Sequence, residues 1–181
     1  MIKQCLEDET EFAVLLARGE EIEPLGTLAR IDSVINEYDD GRFDILTVGT
    51  ERIEVTQFYR DAAYLQGSVK SVHDLPERAG EDVDALARTA VEALESFAQE
   101  AGYTLDRSAL DGLPQEELSF FLAATDIFSL EEKQKLLKLR STGDRLRAVT
   151  ESLKAMTVQR KQREKIRRML GSEGDISHLF N

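Results

Sequence analysis

Cysteine and histidine are scarce in this sequence of 181 residues, and long apolar runs are missing from it. Cys5 is the only cysteine, which excludes a disulfide within the chain and is typical of a reducing cytosol. No apolar run approaches the ~20 residues that a membrane-spanning helix needs. The first residues, MIKQCLEDETEF, are acidic where a signal peptide has its apolar core. We therefore expect a cytoplasmic protein.

Motifs of nucleotide binding and of serine hydrolases are also missing. The sequence contains neither a G-x-x-x-x-G-K-[ST] loop nor a G-x-S-x-G turn, so it offers no ATP site or nucleophile of those kinds. Ser68 and Lys70 are two residues apart on a predicted strand, where they share a face without being placed as nucleophile and base. A solvated strand face is the favoured interpretation. We predict no catalytic residues and no enzyme.

Metal-binding patterns are incomplete. His73 and His178 are the only histidines and have no histidine or cysteine partners at zinc-ligand spacing, so we interpret them as loop and tail residues. Residues 36–47 approach a calcium-binding loop, but Tyr38 occupies the place of an oxygen ligand and Thr47 that of the bidentate glutamate. A hairpin turn is favoured there. We predict neither a metal nor a cofactor.

The charge of the sequence is strongly negative and unevenly distributed. The net charge is -12, and residues 1–80 carry 17 acidic and 8 basic side chains. Residues 151–181, in contrast, carry 4 acidic and 7 basic side chains. An acidic protein repels phosphate backbones, which counts against nucleic acid as the main ligand. Only the basic residues of the C-terminal stretch oppose that conclusion: Arg160, Lys161, Arg163, Lys165, Arg167 and Arg168.

Strand patterns dominate the first part of the sequence. Residues 26–59 are predicted as three consecutive strands, with an Asp-Gly turn at residues 38–42 and a break at residues 49–52. The almost continuously apolar run 43–48 indicates a strand that is covered on both faces. A change of face near Asp32 predicts a bulge.

Further elements flank these strands. The first residues indicate the end of a helix, and residues 12–17 a buried strand. Pro24 has no amide proton for a ladder, so the next strand begins after it. Another strand is predicted over residues 62–72, with a bend or a close backbone approach at Gly67.

Helical patterns follow from residue 84 onward. Apolar residues recur at spacings of three and four over residues 84–101, and Gly102 follows as a C-terminal cap. A second helix is predicted from Pro114 and a third from the capping box that Ser129 opens. Ser141 or Thr142 begins the last helix. Strands followed by helices indicate an α+β protein.

Three stretches together resemble a known family. They are Gly26-Thr27-Leu28-Ala29-Arg30-Ile31, Val48-Gly49-Thr50-Glu51-Arg52-Ile53, and Leu113 to Ser119 with Glu132 to Leu137 and Arg145-Leu146. In this order and spacing they resemble the N-terminal, substrate-binding domain of Lon protease. The resemblance covers roughly residues 1–156.

The resemblance implies a PUA-like β-pseudobarrel over residues 1–78, a helical bundle over residues 79–156 and a basic helical tail over residues 157–181. Family members usually open with a Leu/Phe/Pro-rich strand and loop, whereas this chain starts within the following helix. Either Met1 is an internal start of a longer protein, or this version lacks the strands that would complete the pseudobarrel. We therefore expect a pseudobarrel that is incomplete at its N-terminal edge and exposes a sheet edge, which invites pairing with another chain or a homodimer.

The family implies a non-enzymatic module that binds proteins, either unfolded clients or a partner protease. The alternative is a PUA-like RNA-binding protein that uses the basic C-terminal stretch, and a hydrolase is disfavoured. Phe58, Tyr59 and Tyr64 are candidates for an exposed aromatic patch that binds a peptide, although core or rim packing is favoured. Cys5 is more simply a buried small hydrophobe than a reactive thiol. The sequence does not assign the substrate-binding residues.

Overall fold

The computed structural model describes residues 1–110 and 112–172, which form two compact units. Unit 1 contains Met1–Leu75 and Ser129–Arg140. Unit 2 contains Pro76–Phe128 and the chain from Ser141 onward. The chain therefore leaves the first unit after Leu75 and contributes one later helix to it.

Six strands and five α-helices make up the described part of the chain, together with one 3-10 helix. In chain order they are α1 (Ile2–Asp8), β1 (Phe12–Val14), β2 (Ala17–Arg18), β3 (Glu21–Ile22), β4 (Leu25–Glu37), β5 (Phe43–Tyr59), β6 (Gln66–Ser71), α2 (Val83–Ala101), the 3-10 helix (Arg107–Ala109), α3 (Gln115–Ala124), α4 (Leu130–Lys138) and α5 (Thr142–Ser172). Strands followed by helices confirm the predicted α+β class. None of the helices in the described ranges is long and apolar enough to cross a membrane.

Unit 1 is built on an antiparallel sheet in the order β1-β4-β5-β6, beside a separate two-stranded hairpin of β2 and β3. The sheet is not closed, as we expected for an incomplete pseudobarrel. β1 and β6 are its edge strands. β4 begins directly after Pro24, in agreement with the missing amide proton of proline.

The prediction of three strands within residues 26–59 is wrong, because β5 runs without interruption through the expected break. Gly49 pairs with Ala29 and Glu51 pairs with Leu28, so Thr50 is an extra residue within one ladder. Such an insertion is a β-bulge, which bends a strand without reversing the chain. The third strand of the meander is therefore β6.

The hairpin between β4 and β5 confirms the predicted Asp-Gly turn. Gly41 has a φ of 86°, and its amide donates to the carbonyl oxygen of Tyr38 at 2.9 Å. The Asp40 carboxylate accepts hydrogen bonds from the Arg42 amide at 3.2 Å and from its side chain at 2.8 Å. The predicted change of face near Asp32 is also confirmed, since the register shifts there.

Two predictions of buried strands are wrong. In the run 43–48, Phe43 and Ile45 are half-buried, but Leu46 and Val48 on the other face are 52% and 45% exposed. The strand expected over residues 12–17 ends at Val14, which is exposed. An apolar run alone does not show which of its faces another element covers.

Arg52 fixes α4 to the sheet of unit 1. Its buried guanidinium donates to the carbonyl oxygens of Val72 at 3.0 Å, Leu137 at 2.9 Å and Leu139 at 2.6 Å. It also forms an ion pair with Asp74. These contacts join β5 to the end of α4, which accounts for the place of this helix in the first unit.

Unit 2 packs α2, α3 and α5 together through apolar side chains. Its most buried apolar residues are Ala90, Leu122, Leu146, Val149 and Leu153. The predicted ends of these helices are confirmed: Gly102 follows α2 with a φ of 82°, and Ser141 accepts a hydrogen bond from the Asp144 amide at 3.1 Å. These caps satisfy backbone groups that have no partner within a helix.

A fully buried arginine, Arg145, lies within the helices of unit 2. Its Nε donates to the Ser119 hydroxyl at 2.7 Å, and its guanidinium carbon lies 3.6 Å from the centre of the Phe120 ring. This burial was not predicted from the sequence, because a charged side chain on a helix is by default exposed.

Candidate binding site

An apolar groove with a volume of about 600 Å³ lies within unit 1. Residues of α1, β1, the β2–β3 hairpin, the sheet and the segment before β6 line it. Its apolar lining includes the side chains that we call its floor, those of Leu15, Leu28, Val55, Phe58 and Val69. We refer to this feature as the groove. Concave, mostly apolar sites with a few polar groups are the usual form of ligand sites in proteins.

A β-bulge in β5 brings two of the floor side chains together. Successive side chains of a strand point to opposite faces, so Val55 and Phe58 would lie on different faces of a regular strand. The register shifts between Val55 and Gln57, where the partners change from Val69 to Ser68. The extra residue turns Phe58 to the face of Val55, and both line the groove.

Gly67 keeps the floor open opposite Phe58, with which it is paired. A Cβ atom at this position would lie 2.8 Å from the carbonyl oxygen of Gln57 and 3.0 Å from the Val55 side chain. A larger residue would therefore push the two strands apart. The close backbone approach predicted at this glycine is confirmed.

One wall of the groove is a face of α1, and the other includes the segment before β6. Met1, Gln4, Cys5 and Asp8 follow one another at helical spacing along that face. The Tyr64 hydroxyl donates to Gln4 Oε1 at 2.9 Å and so joins the two walls. Cys5 is 8% exposed, as expected for a small buried apolar residue.

β6 is an edge strand of the sheet, and part of it lines the groove. β6 pairs with β5 on one side, and among the described residues no strand lies on its other side. Gln66, Gly67 and Val69 of this strand line the groove, and all its residues are exposed. An edge strand presents backbone N–H and C=O groups to an incoming chain. An edge strand thus forms part of the lining of an apolar groove.

The opposite face of the same strands is polar. The Ser68 hydroxyl lies 2.8 Å from that of Tyr59, and Lys70 Nζ lies 2.8 Å from the Glu54 carboxylate. Ser68 and Lys70 share this face, as predicted, and each is engaged with a residue of β5. The groove therefore lies on the apolar face of this part of the sheet, and the polar side chains lie on the opposite face.

The structure divides the aromatic patch that the sequence suggested. Phe58 and Tyr64 line the groove, whereas Tyr59 lies on the polar face. Sequence reasoning missed Leu28 and Val55 as groove residues. Their apolar character was visible in the sequence, but the face that each occupies depends on register shifts in β4 and β5.

The remaining candidates do not converge on a site. His73 is exposed, with Nε2 4.0 Å from a Glu51 carboxylate oxygen, and His178 lies outside the described residues. Residues 36–47 form the paired ends of the β4–β5 hairpin. No group of three or more His, Cys, Asp or Glu residues within 1–110 and 112–172 is placed to hold a metal ion.

The pKa values of Glu132 and Asp106 are shifted, and neither of these residues lines the groove. The backbone amide and the hydroxyl of Ser129, each 2.8 Å from Glu132, lower the pKa of that glutamate. The Ser108 side chain and amide lower the pKa of Asp106 in the same way. Both groups cap helices, which is a structural role.

The basic C-terminal stretch lies on α5 in unit 2. Its side chains are largely exposed and are partly paired with acidic neighbours. Lys161 lies 3.9 Å from Glu100, and Arg167 and Arg168 lie 3.7 Å and 3.2 Å from Glu164.

Comparison with known proteins decides the family. Residues 1–155 match the family model of the ATP-dependent protease La (LON) substrate-binding domain. The chain belongs to this family. The resemblance inferred from the sequence is therefore confirmed, and the LON match is to the part of the protease that binds substrates. A comparison with curated proteins found no match.

Solved structures with the LON N-terminal domain fold are similar to this chain. A crystal structure of a Lon N-terminal domain protein from Xanthomonas campestris has a TM-score of 0.57 and 21% identity, with 81% of this chain and 78% of that chain covered. The N-terminal domain of Mycobacterium avium complex Lon protease has a TM-score of 0.59 and 18% identity, with 79% and 76% covered. At these identities the likeness shows the fold.

Proposed function

We propose that this member of the LON substrate-binding domain family is a non-enzymatic module that binds an extended apolar segment of another protein in the groove. Membership of the family supports substrate recognition as the general role. The observation that carries the specific proposal is the position of β6, an edge strand that borders an apolar groove.

Strand addition is the binding mode that this geometry favours. A peptide beside β6 gains main-chain hydrogen bonds from the edge and inserts every second side chain into a pocket. The floor residues Val55, Phe58 and Val69 are suited to apolar side chains, since Phe58 and Val69 are 37% and 42% exposed without a ligand. Burial of this exposed apolar surface by a peptide favours association.

The partners we propose are unfolded client proteins or a partner protease in the cytoplasm. Ser68 and Lys70 are engaged with residues of β5, and the family match concerns the substrate-binding part of LON. The alternative of RNA binding gains no support from the comparisons. The net charge of -12 also opposes it.

A matched pair of variants tests the groove. Phe58 and Tyr59 are adjacent aromatic residues with the same exposure of 37%, but only Phe58 lines the groove. Fluorescence anisotropy of a labelled, extended apolar peptide measures the dissociation constant. We expect Phe58→Ser to weaken binding about tenfold or more, because a buried aromatic side chain contributes about 1.5–3 kcal/mol. Tyr59→Ser should change it little. Equal losses in both variants would contradict the proposal.

A backbone-modified peptide tests strand addition separately. N-methylation of alternate amides removes donors and blocks close pairing while side chains are retained. We expect a large loss of affinity when the methylated amides face β6 and little loss in the other register. Sedimentation of the protein alone shows whether a second copy occupies the edge. A homodimer that excludes the peptide would contradict the groove as a peptide site.

A further inference from the structure

The charged side chains that line the groove bear on which segments it binds, an inference that rests on the proposed function. Asp8 and Glu11 are the charged side chains among its lining residues, and both are carboxylates. Both are exposed, at the end of α1 and directly before β1. Both side chains are therefore open to solvent in the lining of the groove.

Further acidic side chains near these carboxylates add to the negative charge beside the groove. Glu7 and Glu9 neighbour Asp8 in the sequence, and Lys3, the basic residue of α1, lies against the Phe43 ring with its Nζ 5.6 Å from the ring centre. Unit 1 as a whole carries 18 acidic and 11 basic side chains, a net charge of -7. A negative potential in a cleft with apolar walls raises the local concentration of cations.

We infer that the groove selects extended segments in which apolar residues are followed or preceded by lysine or arginine. The apolar side chains fill the floor at Val55, Phe58 and Val69, and the basic side chain lies beside Asp8 and Glu11. Charge complementarity of this kind mainly determines which partner binds and how fast it associates. Segments that carry glutamate or aspartate at the same position are disfavoured, since a carboxylate would meet like charges.

Three peptides with one apolar core, flanked by lysine, glutamine or glutamate, test the inference in the full chain. Their dissociation constants are measured by fluorescence anisotropy at low salt and at high salt. We expect the lysine peptide to bind about three- to tenfold more tightly than the glutamine peptide, and the glutamate peptide to bind more weakly than both. The differences should shrink at about 1 M salt, where the screening length falls to about 3 Å.

Charge-neutralising variants assign the preference to the groove. The double variant Asp8→Asn/Glu11→Gln should bind the lysine, glutamine and glutamate peptides with nearly equal dissociation constants. The control Glu7→Gln/Glu9→Gln removes the same charge from positions that do not line the groove, and it should keep most of the preference. Circular dichroism verifies that both variants are folded.

The outcomes separate the inference from the function on which it rests. Equal binding of all three peptides to the unmodified protein, or preference for the glutamate peptide, would overturn the charge preference and keep the groove as a site. Equal effects of the two double variants would assign the preference to the overall charge of unit 1 and overturn the role of Asp8 and Glu11. Failure of every peptide to bind would overturn the proposed function itself.

Discussion

Replacing Arg52 by methionine should destabilise unit 1 severely. The substitution keeps most of the length of the side chain but removes its ion pair with Asp74 and its hydrogen bonds to three carbonyl oxygens. The side chains of Arg52 and Asp74 are only 6% and 10% exposed, so water does not replace the lost partner. Removing one member of a buried pair costs about 3–5 kcal/mol. Domains of ordinary stability unfold with about 5–15 kcal/mol, so the loss is a large fraction of the total.

Arg42 provides the matched control for this prediction. It pairs with Asp40 at 2.8 Å, but their side chains are 73% and 56% exposed. Arg42→Met should therefore cost about 1 kcal/mol or less. The double variant Arg52→Met/Asp74→Asn should recover part of the loss, because the uncompensated buried charge is removed.

Urea unfolding followed by circular dichroism measures these differences, since the sequence has no tryptophan for fluorescence. Hydrogen exchange of the α4 amides shows whether the loss of stability affects this helix. We expect faster exchange there in Arg52→Met, because the Leu137 and Leu139 carbonyls lose their donor. If Arg52→Met cost no more than Arg42→Met, the assignment of Arg52 as the group that holds α4 on the sheet would be refuted.

Three further predictions concern stability. Gly26→Ala should lower the free energy of unfolding by about 1–3 kcal/mol in thermal melts, because the new Cβ would overlap the carbonyl oxygen of Val14 in β1. An unchanged melting temperature would contradict this packing. Arg145→Met should cost about 2–4 kcal/mol in urea unfolding, since the Ser119 hydroxyl loses its buried charged donor, whereas Arg163→Met should be nearly neutral. The pKa of Glu132 is lowered in the folded state, so its carboxylate contributes fully to the free energy of unfolding at neutral pH. This contribution is lost as the pH falls through the folded-state pKa. The stability gap between Glu132→Gln and the unmodified protein should therefore narrow as the pH is lowered through the acidic range, and a gap that stays constant with pH would be inconsistent with this cap.

Helix ends and the main hairpin could be predicted from the sequence because their signals are local. Gly102 adopts a positive φ at the end of α2, and Ser129 forms the capping box of α4 with Glu132. Gly41 supplies the positive φ of the hairpin. Each of these features depends on the conformational freedom or the hydrogen bonding of a few consecutive residues.

The groove and the burial of Arg52 could not be predicted because both depend on contacts between residues that are far apart in the sequence. The bulges at Thr50 and after Val55 are set by the registers of β4 and β6 with β5, and they decide which side chains share a face. Burial of Arg52 requires carbonyl groups that are more than eighty positions away in the sequence. The run 43–48 shows the same limit, since its apolar pattern gave no sign of which face lies open.

Hydrogen–deuterium exchange of β6 in the full chain, with and without a saturating extended apolar peptide, tests the proposed binding mode most directly. Strand addition predicts that the outward-facing amides of residues 66–71 become protected on binding. Amides at the tip of the β4–β5 hairpin, around Ile35, should exchange at unchanged rates. Unchanged exchange in β6 at peptide saturation, with protection confined to other elements, would contradict strand addition at this edge.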